Sequence, residues 1–156
     1  MTIRIREATE ADLESLVASA SALFAEDGGR RDVHMDTGWP ARHGHDYWRA
    51  AIKDVDALCL IASGESAAGH LIGRLKQPDE LRPTAMTAVL ESMRVAEEHR
   101  ASGVGTALHD AFLAWARKRE ANELVVQAYA ANTGALAFYR SRGYQSHVIG
   151  LRSDLS

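Results

Sequence analysis

Apolar and polar residues alternate with two different periods along the chain, and the changes of period divide it into elements. Thr2 to Arg6 alternates with Ile3 and Ile5 on one side, the period of a half-buried strand. From Thr9, with Asp12 three residues on as a capping pair, the apolar stripe Leu13, Leu16, Val17, Ala20, Leu23 and Phe24 follows helical spacing. Glu26-Asp27-Gly28-Gly29 is predicted to end that helix. Arg30 to His45 is polar and broken by Gly38, Pro40 and Gly44, so it reads as a loop, with a second helix over Asp46 to Val55.

Two strands, Ala57–Ala62 and Ala68–Leu75, flank a turn at Gly64-Glu65-Ser66. A loop between Pro78 and Pro83 precedes a strand over Thr87–Val95. The helical period returns from Val104 to Arg119 through Val104, Leu108, Ala111, Phe112 and Trp115. A strand over Glu123–Ala128, a helix over Thr133–Arg142 and a last strand over Tyr144–Leu151 complete the order β-α-α-β-β-β-α-β-α-β. This order predicts an α/β fold, a mixed sheet of six to seven strands with helices on both faces, in one domain over residues 1–156.

Composition narrows the function classes. At 46% hydrophobic and 25% charged, the 156 residues suit a folded domain with a sizeable core. A net charge of -3 gives no basic field, so nucleic acid is not an expected partner. No apolar run reaches membrane-spanning length, the N-terminus lacks a signal-peptide core, and one cysteine fits a reducing compartment; the expectation is a cytoplasmic protein off the membrane. His34, His43, His45, Asp32, Asp36 and Asp46 follow no metal-ligand spacing, and no metal is expected.

The strongest chemical signal is Arg100-Ala101-Ser102-Gly103-Val104-Gly105-Thr106, lying between a strand and a helix. The first N–H groups of a helix lack intrahelical partners and carry the positive end of its dipole, which favours phosphate. Gly103 and Gly105 allow close backbone approach, and Arg100 adds fixed charge. A P-loop would need Gly-Lys-Ser/Thr where Leu108 and His109 stand, and a dinucleotide fingerprint would need a small residue at Leu108.

Arg-x-x-Gly-x-Gly after a strand resembles the pyrophosphate loop of the GCN5-related N-acetyltransferases (GNAT). Asn132-Thr133-Gly134-Ala135-Leu136-Ala137-Phe138-Tyr139, followed by Gly143-Tyr144, is similar to that family's second signature. Two departures stand out: Glu97 occupies a place where the family often has proline, and Ala101 one where it often has glycine. The resemblance implies acetyl-CoA as cosubstrate. Met93, Arg94 and Val95 would offer backbone groups to the pantetheine amides, Arg100, Ala101, Ser102, Gly103, Val104, Gly105 and Thr106 would hold the pyrophosphate, and Asn132 would bond the pantetheine arm.

Acyl transfer from a thioester to an amine needs a route for the ammonium proton and a donor for the departing sulfur. The resemblance puts Tyr139 beside that sulfur, and Leu90-Glu91-Ser92-Met93-Arg94-Val95 resembles a segment in which the glutamate is the proposed base. In a regular strand Glu91, Met93 and Val95 would share one face; the family's common bulge would shift that facing by one residue. Asp27, Asp36, Trp39 and Tyr47 are expected around the acceptor, because acids and aromatics suit a cation. The expected activity is N-acetylation of a primary amine of a small cationic molecule through a ternary complex. A protein or peptide acceptor, or a silent CoA-binding regulatory module, are the alternatives, and a homodimer is left open.

Overall fold

The computed structural model describes residues 2–64 and 67–156. Strand β1 (Arg4–Glu7) leads through a 3-10 turn (Glu10–Asp12) into helix α1 (Leu13–Leu23). Asp12 organises this entry: its carboxylate accepts the Thr9 N–H at 2.8 Å and both ends of the Arg6 guanidinium at 2.8 and 2.9 Å. α1 does not stop at Glu26. It runs on through a π-helical turn (Phe24–Gly28) into the short helix α2 (Gly29–Arg31).

Helix α3 (Trp39–Lys53) begins seven residues earlier than the sequence pattern suggests, so the predicted loop shrinks to residues 32–38. Pro40 sits in its first turn, where a missing N–H costs nothing. Gly44 is a packing residue here, because a Cβ would come within 3.0 Å of Val17 on α1. Strands β2 (Ala57–Ser63), β3 (Ala67–Lys76) and β4 (Thr87–Val95) follow, then helix α4 (Val104–Lys118), strand β5 (Glu123–Val126) and helix α5 (Thr133–Ser141). The turn expected at Gly64-Glu65-Ser66 falls partly outside the described residues.

Among the described residues the sheet has five strands in the order β1-β2-β3-β4-β5, antiparallel except for the parallel β4–β5 pair. The expected six to seven are not reached, because residues 145–156 form no strand. Their alternation fits a strand, but no ladder partner stands beside them, and a strand exists only with a neighbour. Helices cover both faces as expected. α1 and α3 pack with Cys59, Ile61 and Ile72 on one side, and α4 and Tyr139 pack with Leu58, Leu60, Leu71 and Leu90 on the other.

Candidate active site

β4 and β5 pair only from Thr87–Glu123 to Leu90–Val126, and β4 then continues alone to Val95. A cleft of about 940 Å³ opens where they part, bounded by the π turn, the loop before α4 and the start of α5. The Ala96 N–H bonds the Ala68 carbonyl at 2.7 Å, so by the alternation of an antiparallel ladder Arg94 and Ser92 also direct their backbone groups to β3. Gly69 accommodates this, since a Cβ there would lie 2.3 Å from the Arg94 carbonyl oxygen. The groups of Met93 and Val95 therefore point the other way, into the cleft. Of the three residues expected to offer backbone groups, Arg94 is turned away.

Arg94 contributes its side chain instead, donating to both oxygens of Glu26 at 3.1 and 2.7 Å. Arg100 also reaches Glu26, at 2.9 Å, and donates its Nε to the Val95 carbonyl at 2.9 Å. Two guanidinium groups thus hold the Glu26 carboxyl below its usual range, the Arg94 hydrogen bonds being the main cause. Glu26 stands 68 residues from Arg94 in the chain, and no local pattern announces the pair.

A bulge in β4 sets the position of Glu91. Ile72 pairs with Ser92 and Gly73 with Leu90, which leaves Glu91 as the extra residue. Glu91 therefore does not share a face with Met93 and Val95, which pack toward the α4 side. Its carboxylate lies on the α3 side, where it accepts the Tyr47 hydroxyl and the Arg74 Nε, the latter at 2.7 Å. Next to it, Ser92 bonds Nε2 of the buried His70 at 2.9 Å, and His70 Nδ1 bonds Ser19 at 2.6 Å. Burial lowers the His70 imidazole to about 3, so the ring is neutral and serves as a bridge between two hydroxyls.

The loop before α4 has the predicted geometry. Gly103 is the N-cap with φ 91°, and no atom would meet a Cβ there within 4 Å. The first bond into the helix is from Ala107 N–H to the Gly103 carbonyl, which leaves the N–H groups of Val104, Gly105 and Thr106 without intrahelical partners. Ala101 also has a positive φ, 60°, a left-handed conformation that strains a residue with a Cβ and that glycine adopts freely. Ala101, Gly103, Gly105 and Thr106 line the cleft, whereas the Val104 side chain is buried in the core and Ser102 caps the His99 carbonyl. Thr106 accepts a hydrogen bond from Arg142. Glu97 also lines the cleft.

At the opposite wall Asn132 is the N-cap of α5, with Oδ1 accepting the Ala135 N–H at 3.1 Å. Its Nδ2 donates to Asp27 at 3.1 Å, and Arg31 holds the same carboxylate at 2.9 Å. Tyr139 lies about two turns further along α5 and is 9% exposed on the cleft. Burial first, and Asp27 second, push its phenol up to about 12. The acceptor residues fare unevenly. Asp27 lines the cleft, but Asp36 is paired with Arg42 on the exposed surface. Trp39 stacks on Phe24 at 6.4 Å and meets the Tyr47 ring edge-on at 5.6 Å, so both stand behind the cleft-lining Phe24 and Glu91.

The acetyltransferase (GNAT) family profile matches residues 18–144. The chain belongs to the GNAT acetyltransferase family. Its backbone is similar to that of a mutant of the BH1408 protein from Bacillus halodurans, with a TM-score of 0.88 at 22% identity over 98% of this chain and 99% of that one. It is also similar to the aminoglycoside 6'-N-acetyltransferase AAC(6')-Ig from Acinetobacter haemolyticus, with a TM-score of 0.74 at 23% identity over 98% and 99%. A third similar structure is AAC(6')-Iy in complex with a CoA-linked bisubstrate analogue, with a TM-score of 0.75 at 18% identity over 99% of each chain. At these identities the likeness establishes the fold. Comparison with curated protein sequences found no match.

Proposed function

We propose that this GNAT protein is an acetyl-CoA-dependent N-acetyltransferase acting on a primary amine of a small cationic molecule by direct attack in a ternary complex. The observation that carries this reading is the unpaired edge of β4. Met93 and Val95 present N–H and C=O groups to a cleft that runs from free N–H groups at the start of α4 to the Tyr139 phenol. A chain of amides ending in a pyrophosphate fits such a row of donors, acceptors and helix dipole. Acetyl-CoA, when bound, supplies the activated acyl group.

Each role then follows from the residues. The N–H groups of Val104, Gly105 and Thr106 bind the phosphates, and Arg100 exchanges Glu26 for them, while Arg94 keeps hold of that carboxylate. Glu91, fixed by Tyr47 and Arg74, receives the ammonium proton directly or through water. Tyr139 keeps its proton through the neutral range and donates to the sulfur as charge develops there. Its phenol lies well above the ordinary thiol value of about 8.5, so this is a hydrogen bond and not a full transfer. The carboxylates of Glu91 and Asp27 and the ring of Phe24, which line the cleft, support a cationic acceptor.

The test is a panel of amines with free CoA thiol as readout, run on the wild type and on Tyr139→Phe. The expected result is turnover of small polycationic amines, reduced about 10²-fold in the variant at unchanged acetyl-CoA affinity. Acetyl-CoA binding by calorimetry without turnover of any amine would make the protein a binding module. Absence of binding would overturn the reading altogether.

A further inference from the structure

Glu26, on the π turn after α1, is held by two guanidinium groups that differ in how firmly they are built in. Arg94 reaches it as a fork, with bonds to both oxygens at 2.7 and 3.1 Å, from a β4 side chain only 13% exposed. Arg100 makes a single bond to it at 2.9 Å, from a side chain 49% exposed in the loop before α4. A bidentate and mostly buried pair is stronger than a single half-exposed one, so Arg100 is the partner that can change. The turn that carries the carboxylate is itself fixed. Its Asp27 holds Arg31 at 2.9 Å and Asn132 at 3.1 Å, and a Cβ on Gly28 would come within 3.2 Å of Met35.

The other bond of Arg100 falls on the Val95 carbonyl, at 2.9 Å from Nε. Val95 is the last residue of β4, in the part of the strand that β5 leaves unpaired. Arg100 therefore lies across the end of that open edge, and Glu26 anchors it there. Each contact has the form of one that the proposed cosubstrate would make. The Nε–H on the Val95 carbonyl has the chemistry of a pantetheine amide N–H, and the carboxylate on the guanidinium has that of a phosphate. Chain and cosubstrate compete for the same two groups.

We propose that Glu26 and Arg100 form an internal stand-in for CoA, a strap in which the carboxylate holds the phosphate-binding arginine until phosphate displaces it and retakes the arginine as CoA departs. The proposal rests on the acetyl-CoA reading above. Glu26 is then a positioning residue of inverted sign: its carboxylate weakens the binding of acetyl-CoA and of CoA alike, because the phosphate end is common to both. It acts through Arg100 and not by repelling phosphate directly, since the fork to Arg94 leaves that pair neutral. Competition for a half-exposed guanidinium is worth a few-fold in affinity, which falls mainly on the rate of release.

The test is calorimetric titration with CoA, without any acceptor amine, of the wild type, Glu26→Gln, Arg100→Ala and the double variant. Glu26→Gln should bind CoA about 5-fold more tightly, and stopped-flow displacement should show release slowed by a similar factor. In the Arg100→Ala background the same change should leave the affinity within about 2-fold. A merely structural Glu26 gives the opposite sign, since loss of its contacts would loosen a turn that lines the cleft. A wild type labelled with nitrogen-15 answers the same question if Glu26→Gln does not fold. CoA should move the Arg100 Nε resonance, identified by its loss in Arg100→Ala, and leave that of Arg94 in place. Unchanged or weaker CoA binding by a folded Glu26→Gln, a gain that persists without Arg100, or an Arg100 resonance unmoved by bound CoA overturns the strap alone. A wild type that binds no CoA overturns the acetyl-CoA reading and the strap with it.

Discussion

Gly103 offers a clean way to separate charge from backbone geometry at the phosphate-binding end of the cleft. Its φ of 91° and the absence of any atom within 4 Å of a Cβ mean that a side chain meets strain but no clash. Gly103→Ala should therefore cost about 1–2 kcal/mol of stability, the usual penalty of a left-handed residue with a Cβ. Its effect on acetyl-CoA affinity should stay within a few-fold. Gly103→Asp adds the same strain and a carboxylate beside the first turn of α4. At roughly 6 Å and an effective dielectric of about 20, each phosphate charge repels it by about 3 kcal/mol, or about 10²-fold in affinity. Calorimetric titration of both variants at low salt reads the difference, since salt screens an exposed loop. Equal affinity of the alanine and aspartate variants would refute the placement of the pyrophosphate at this helix start.

Glu91→Gln retains a group able to bond Tyr47 and Arg74 but removes the carboxylate; turnover should fall by at least about 10²-fold with acetyl-CoA affinity kept, and normal turnover would assign the proton to ordered water. Ala101→Gly relieves a positive φ of 60° and should raise stability in a denaturant titration by up to about 1 kcal/mol; a loss would mean that chain entropy outweighs the strain. His70 gives a pH signature. Its folded value, about 3, lies below the unfolded one near 6.5, so the unfolded chain binds the extra proton between these limits and stability falls as pH drops through that window. Between pH 7 and 5 the loss should be about 2 kcal/mol, and it should be absent from His70→Gln, whose pH profile keeps only the smaller contribution of His109, also lowered by burial. An unchanged slope in that variant would show that the imidazole is not held neutral.

The elements that follow from period alone were legible because each has its own amphipathic record. β4 ends at Thr87 and Val95 as its pattern indicates, and α4 begins at Val104 because Gly103 must cap it. The stretch after Phe24 was not. Glycines at 28, 38 and 44 and a proline at 40 carry the signature of a loop, but Gly44 serves a helix–helix contact and Pro40 a first turn. Pairing across the sequence was also hidden. Arg94 with Glu26, Arg74 with Glu91 and His70 between two serines each join residues that only the fold brings together. The bulge turned Glu91 to the other face of β4, because one inserted residue reverses a period of two. The last strand failed for a different reason: its pattern is sound, but among the described residues no strand stands beside residues 145–156 to pair with them.

The parting of β4 from β5 leaves a debt in the free protein, since the Met93 backbone groups and the Val95 N–H must be satisfied by solvent, while the Val95 carbonyl has only the exposed Arg100 guanidinium. A ligand that fills this gap acts as a missing strand, so its binding free energy is also folding free energy. On the proposed reading, a free acetyl-CoA concentration of 100 times Kd would add about 2.7 kcal/mol to the stability of the fold. The amount of folded protein in a cell would then follow the acetyl-CoA supply, and starvation for acetyl groups would expose the chain to proteolysis before it limited the rate of any reaction.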